Sequence, residues 1–195
     1  WVHHGAWWLH REKIETLFGP INQLAAFVHA SQWMQYDGLR YIAESNRRRK
    51  WRTSGCAPWQ FNESWPNVCC TNCLDYYGNV RPAYWAMRTA YAPRLLSVKH
   101  NGLRREPGSD FTAEVWMDTS QPDLAPEAVR WVVWCLETCA CIGEGLIAAA
   151  SQPSDPEAPA CIGTIAFRVP ETPTVFGISV WADGDDVSTA NRYVF

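Results

Sequence analysis

Leu24, Phe27, Val28, Ser31, Met34, Gly38, Tyr41 and Ile42 recur at three- and four-residue intervals through residues 21–49. That is the helical period, so one long helix, or two meeting near Ala30 and Ser31, is expected there. Gly38 lies inside the stripe and weakens the helix slightly. The pattern then changes. In residues 54–61, Cys56, Ala57, Trp59 and Phe61 form a short run apolar enough to be buried on both faces, which predicts a strand. Pro58 is the discordant note, because proline donates nothing to a central ladder. The run ends in Asn62, Glu63, Ser64 and Trp65, and Pro66 stops the extension. Residues 64–72 read as a loop rich in Pro, Asn and Cys, closed by the turn Asp75-Tyr76-Tyr77-Gly78. Helical spacing returns over residues 81–92, with Pro82 near the first turn, where proline is tolerated, and Pro93 as the stop. Helix, strand, loop and helix make an α/β pattern, and its single strand calls for partners that this chain does not supply.

From Arg94 onward the period shortens to that of strands. Residues 96–99, 111–117, 129–136, 144–148, 162–169, 174–182 and 191–195 alternate or run apolar over short spans. Between them lie turn formers: Asn101-Gly102, Glu106-Pro107-Gly108-Ser109, Gln152-Pro153-Ser154-Asp155-Pro156 and Asp183-Gly184-Asp185. About seven short strands in roughly a hundred residues predict an immunoglobulin-like sandwich. The expected domains are therefore residues 1–93 and 94–195.

Composition narrows the function classes. The chain has 195 residues, 47% of them hydrophobic and 19% charged, enough for packed cores. Its net charge of −3 argues against a general nucleic-acid binder. No apolar run is long enough to span a bilayer as a helix. The one basic block, Arg47-Arg48-Arg49-Lys50, falls at a predicted helix end, where cations favour the dipole, and reads as a solvated terminus. Glu44 is expected to pair within the helix with Arg47 or Arg48. Eight cysteines are scattered. Cys70-x-x-Cys73 has a zinc-ligand spacing, but no second pair or nearby histidine completes it, so buried free thiols are expected, with disulfides also open. His3 and His4 are adjacent and point apart in regular structure, which favours packing over metal binding. No metal and no cofactor is expected. Twelve tryptophans are far above ordinary usage. Most should fill cores, and a few could line a sugar-binding cleft.

Three segments carry a resemblance: SQWMQYDGLRYIAESNRRRKW from Ser31, SGCAPWQFNESWPN from Ser54, and DYYGNVRPAYWAMRTAYAP from Asp75. Together they resemble the end of the catalytic barrel in glycoside hydrolase family 2, most closely its β-mannosidase-like members. ANRYVF at the end of a sandwich is similar to how the domain after the barrel ends in that group. The resemblance implies the C-terminal part of a (β/α)8 TIM barrel followed by the sandwich. Residues 21–50 would be the seventh barrel helix, 53–61 the eighth strand and 81–92 the eighth helix. In a barrel, strand ends carry the active site. Trp59 would stack on the sugar in the −1 subsite, while Asn62, Glu63 and Trp65 would rim the pocket. Family members are retaining enzymes with two catalytic glutamates about 5 Å apart. The resemblance places both before Trp1, so no catalytic residue is expected in this chain and the chain alone should be inactive. Asn62-Glu63 is itself an Asn-Glu pair after a strand. Only one helix follows it before the sandwich, which leaves no room for the four further strand–helix units that a catalytic acid/base at this place would need.

Two readings follow. The first is the C-terminal portion of a retaining exo-acting glycosidase, whose partners are a carbohydrate substrate and the N-terminal part of the same barrel. The second is a non-catalytic carbohydrate-binding or interaction module built on the sandwich. Where Trp116, Trp131, Trp134 and Trp181 point separates them.

Overall fold

The computed structural model describes residues 9–67, 71–149 and 158–195. His3, His4, Cys69 and Cys70 lie outside the described residues, so the readings placed on them have no structural counterpart. Two compact units divide the chain. The first is drawn from residues 1–44 and 55–91, the second from 45–54 and 92–195.

Three helices shape the first unit. Helix α1 (Arg11–Phe18) ends at Gly19, whose φ of 79° suits a residue without a Cβ and whose N–H donates to the Glu15 carbonyl at 2.9 Å. Helix α2 (Leu24–Arg47) is one continuous helix of 24 residues, and its last turn belongs to the second unit. Ile14 of α1 packs with Phe27 and Ala30 of α2 in a small core flanked by Leu9, Ile21 and Met34. Helix α3 (Pro82–Ala90) has proline in its first turn and buries Ala83, Ala86, Met87 and Ala90, a strict three- and four-residue stripe. That stripe meets Ala43 and Cys73 in a second core.

The buried face of α2 follows its apolar spacing only near Phe27 and Met34. Leu24, Tyr41 and Ile42 are exposed, and the inward face runs through Phe27, Ala30, Asp37, Arg40, Ala43 and Glu44. The charges on the inward face lie against one another. Arg40 Nη2 donates to Asp37, and Arg40 Nη1 lies 3.6 Å from Glu44 Oε1. Glu44 therefore has an ion-pair partner one turn back, in Arg40.

The expected strand over residues 53–61 does not form. The segment is irregular, and its apolar residues are not buried: Trp59 is 76% and Phe61 54% exposed. Among the described residues of the first unit no extended segment runs alongside to complete a ladder, and a strand without hydrogen-bonding neighbours has nothing to hold it. Isolated bridges replace it, Asn62 with Leu74 and Leu74 with Val80.

Among the described residues the second unit is an antiparallel sandwich of seven strands, each where the sequence pattern predicts it. They are β1 (Arg94–Lys99), β2 (Asp110–Thr119), β3 (Ala128–Cys135), β4 (Cys141–Ala148), β5 (Ala160–Arg168), β6 (Phe176–Ala182) and β7 (Asn191–Val194). One sheet has the order β1-β2-β5, the other β4-β3-β6-β7. Inward residues of both sheets, among them Val98, Phe111, Val115, Val133, Ile165 and Ile178, form one core. Glycines on β4 make room for a ring, since a Cβ at Gly145 would fall 2.8 Å from the Trp131 indole.

The basic block is not a merely solvated helix end. Within the second unit, Arg47 Nε donates to Asp118 of β2 at 2.5 Å and Arg47 Nη1 to the Ala92 carbonyl at 2.5 Å. Arg48 donates to Ser97 Oγ of β1 at 3.1 Å, and Lys50 Nζ lies 3.5 Å from Asp118. Asp118 and Ser97 are buried, so their polar groups need these partners.

Candidate functional site

The loop from Gly55 to Arg81 is built on a buried floor with exposed rings above it. Asn72 and Cys73 are fully buried. The Cys73 N–H donates to the Gln60 and Phe61 carbonyls at 3.2 and 3.1 Å, and Leu74 N–H donates to the Phe61 carbonyl at 2.9 Å. The Cys73 carbonyl in turn accepts from Arg81 N–H at 3.0 Å, just before α3. These bonds hold residues 60–62 against 73–74 without a sheet. Gln35 of α2 donates from its side-chain amide to the Thr71 carbonyl, and Thr71 Oγ1 donates to the Trp59 carbonyl at 2.5 Å. The Trp59 backbone is therefore tied through Thr71 to α2, while its indole stands in solvent. The Trp59–Gln60 peptide bond is cis.

Two further devices shape the loop. Asp75 Oδ1 accepts from the N–H groups of Tyr77 and Asn79 at 2.9 and 2.8 Å, which closes the predicted turn. The Asn79 side chain first, then those backbone donors, hold the Asp75 carboxyl below its ordinary value. Tyr91 Oη donates to the Cys56 carbonyl at 2.5 Å and pins the start of the loop to the end of α3. Loss of water around the Tyr91 hydroxyl, then its contacts with Cys56, push its pKa up to about 12.

The four residues singled out from sequence separate into two kinds. Trp59 and Trp65 are 76% and 65% exposed, and Asn62 is exposed between them in sequence. Glu63 is 7% exposed and belongs to the floor. Exposed rings extend beyond the predicted set to Phe61, Tyr76, Tyr77 and Trp85. Phe61 faces Tyr84 at 6.5 Å, and Tyr84 meets Trp85 edge-on at 5.3 Å. Tyr76 and Tyr77 were readable only as turn residues, and their exposed rings carried no separate sequence signal. The buried Asp37, Arg40 and Glu44 do carry one, the spacing D-x-x-R-x-x-x-E along a single helix face.

The sandwich tryptophans give the other reading less to work with. Trp131 packs against the core. Trp116 and Trp181 are half-buried, and the Trp116 indole N–H donates to Glu114 Oε2 at 2.7 Å. Only Trp134, 37% exposed, shows an open ring among these four. An open cleft of about 360 Å³ lies beside β1, β2 and β5, lined among others by Lys99, Arg105, Asp110, Glu114 and Thr164, and no tryptophan lines it. Among the described residues no group of three His, Cys, Asp or Glu is placed to hold a metal, and no helix is long and apolar enough to cross a membrane.

Comparison with solved structures decides the fold. The chain matches a β-D-mannosidase from Dictyoglomus thermophilum with a TM-score of 0.58 at 18% identity, covering 90% of this chain and 20% of that one. It matches the exo-chitosanase CsxA of Amycolatopsis orientalis with a TM-score of 0.62 at 17% identity, covering 91% and 20%. A variant of CsxA in complex with PNP-β-D-glucosamine gives 0.66 at 18% identity, covering 93% and 20%. This fold is shared with glycoside hydrolases. The chain spans about a fifth of the length of these enzymes. No protein-family model matches it, and no curated protein sequence matches it.

Proposed function

We propose that the chain is the C-terminal portion of a retaining, exo-acting glycoside hydrolase of the β-mannosidase-like kind in family 2, removing terminal β-linked sugars. The observation that carries this reading is the ring of exposed aromatic side chains on the 55–81 loop, in a chain that shares its fold with a mannosidase and a chitosanase. An exposed tryptophan whose backbone is fixed offers a flat apolar face to the C–H side of a sugar, while polar groups beside it take hydroxyls. Trp59 serves as that platform, and Asn62 and Trp65 rim it. Glu63 acts from below by holding the rim in place.

In this reading the first unit is the last part of a TIM barrel. The remaining strands of that barrel cover its exposed Leu24, Tyr41 and Ile42 and give residues 53–61 the ladder they lack here. Both catalytic glutamates come from those missing parts, so the 195-residue chain alone is inactive. The sandwich holds the end of α2 through Arg47, Arg48 and Lys50.

The test is to assay the complete protein that contains this chain on aryl β-D-mannoside and aryl β-D-glucosaminide, and to follow the first-formed anomer by NMR. Hydrolysis of one of them with retained configuration is expected. A folded complete protein that cleaves no aryl β-glycoside overturns the reading, and an inverted product overturns its mechanism.

A further inference from the structure

The connection between β3 and β4, with the strand residues that flank it, carries three of the eight cysteines within seven residues, Cys135, Cys139 and Cys141. All three are free thiols. The loop is tightly closed. Cys135 N–H donates to the Ala140 carbonyl at 2.9 Å, and Cys139 N–H donates to the Cys135 carbonyl at 2.9 Å. A bond from residue i+4 back to i spans one helical turn, which brings the two Cα atoms to ~6 Å. That lies inside the range a disulfide bridges.

Cys139 has a φ of 58°, in the left-handed region where glycine or asparagine is the usual occupant. A thiol at the one loop position that disfavours a side chain calls for an explanation. Cys139 and Cys141 are exposed, whereas Cys135 is only 9% exposed. The ladder partner of Cys135 is the buried Phe176. Hydrogen bonding from the Thr138 side chain first, then from the Thr138 and Glu137 backbone, holds the Cys135 thiol below its ordinary value. Cys141 pairs with Trp134, the position next to Cys135, and so belongs to the opposite sheet face.

We propose that this hairpin tip is a reversible thiol–disulfide site, in which exposed Cys139 reacts with a low-molecular-weight disulfide such as glutathione disulfide and Cys135 resolves the adduct. In the first step the Cys139 thiolate attacks one sulfur of glutathione disulfide. A Cys139–glutathione bond forms, the glutathione S–S bond breaks, and one glutathione thiol leaves. In the second step the Cys135 thiolate, held by Thr138, attacks the Cys139 sulfur. The Cys135–Cys139 bond forms and the second glutathione leaves as a thiol. Two protein thiols are oxidised, one glutathione disulfide is reduced, and both protons end on glutathione.

The test incubates the full chain with glutathione disulfide, quenches with acid, alkylates the remaining thiols and maps peptides by mass spectrometry. A Cys135–Cys139 cross-link that reduced glutathione reverses is expected. Cys135→Ser should stop at a stable glutathione adduct on Cys139. Thr138→Val should leave formation of that adduct unchanged and slow its resolution, since less of Cys135 is then thiolate. A Cys139–Cys141 cross-link, a wild-type chain that stops at the Cys139 adduct, or no adduct at all overturns the proposal. If Cys135→Ser fails to fold, the cross-link map of the wild-type chain decides alone.

Discussion

The hydroxyl of Tyr193 accepts a hydrogen bond from the backbone N–H of Val98 at 2.8 Å, and so fastens one sheet of the sandwich to the other. Val98 lies on β1, in the three-stranded sheet, and Tyr193 on β7, in the four-stranded one. Asn191 extends the pin by donating to Tyr193 Oη at 2.8 Å and to the Leu96 carbonyl at 3.0 Å. Tyr193 is 1% exposed, so no solvent can take over the role of its oxygen. Tyr193→Phe keeps the ring and removes the acceptor. A buried N–H left without its acceptor costs about 1–3 kcal/mol, and that is the expected loss of sandwich stability. Urea unfolding followed by tryptophan fluorescence measures it. A loss below about 0.5 kcal/mol would mean that the pin contributes no more than an ordinary surface group.

Asp118 offers a second test, because it gathers two cations at a buried place. Its side chain is 6% exposed, and it accepts from Arg47 and faces Lys50. Removing one member of a buried ion pair leaves the other charge uncompensated, at a cost of about 3–5 kcal/mol. Arg47 and Lys50 are 18% and 23% exposed and can partly recover water, so the lower end applies to Asp118→Ala. Calorimetry of the full chain should show a clear fall in Tm. Lys50→Ala should cost much less, because Arg47 keeps its closer contact with Asp118 and its bond to the Ala92 carbonyl. Equal losses for the two variants would contradict the geometry.

The sandwich was legible in the sequence because each strand carries its own signal. The alternation around Val98, Val115, Val133 and Ile178 and the turns at Asn101-Gly102 and Asp183-Gly184 are local, and local patterns survive whatever surrounds them. The segment 53–61 failed for the opposite reason. Cys56, Trp59 and Phe61 read as buried, yet burial needs neighbours, and the described chain leaves Trp59 and Phe61 in solvent. Arg47 and Glu44 mark a further limit. Helical spacing offered each a partner within reach, but it gave no sign that Arg47 also reaches Asp118, 71 residues away, or that Glu44 also faces Arg40. Spacing alone does not rank a local pair against a distant one. Of the candidate site, the aromatic and polar character of residues 59–65 was legible, while the burial of Glu63 was not.

Tyr91 ties stability to alkaline pH. Its folded-state pKa is raised from 10.0 to about 12, chiefly by loss of water around the hydroxyl and then by Cys56. The neutral phenol is therefore the form the fold prefers. The stability it contributes is fully present below pH 10.0 and is lost as pH rises through about 12, because the unfolded chain ionises first. Comparison of wild type with Tyr91→Phe in urea should show the gap between them narrow across that window. A gap that stays constant from neutral pH through that window would rule out the bond to Cys56 as its source. Phenolate absorbance gives an independent check, since one late-titrating tyrosine should vanish in the variant.

Trp59 carries the functional claim, so its replacement is the most informative. Its backbone is held by Thr71 and its ring is 76% exposed, which separates any effect on ligand from an effect on folding. Exposed rings contribute little to stability, so Trp59→Ala in the complete protein should leave Tm within about 2 °C of wild type. If the ring stacks on the sugar at the reacting end, its loss should lower kcat/KM by about 2–3 kcal/mol, a factor of roughly 30 to 150. Trp59→Phe should recover part of this, because a smaller ring still offers an apolar face. Trp65→Ala, at the rim, should raise KM more than it lowers kcat. An unchanged kcat/KM in a folded Trp59→Ala protein would remove Trp59 from the subsite.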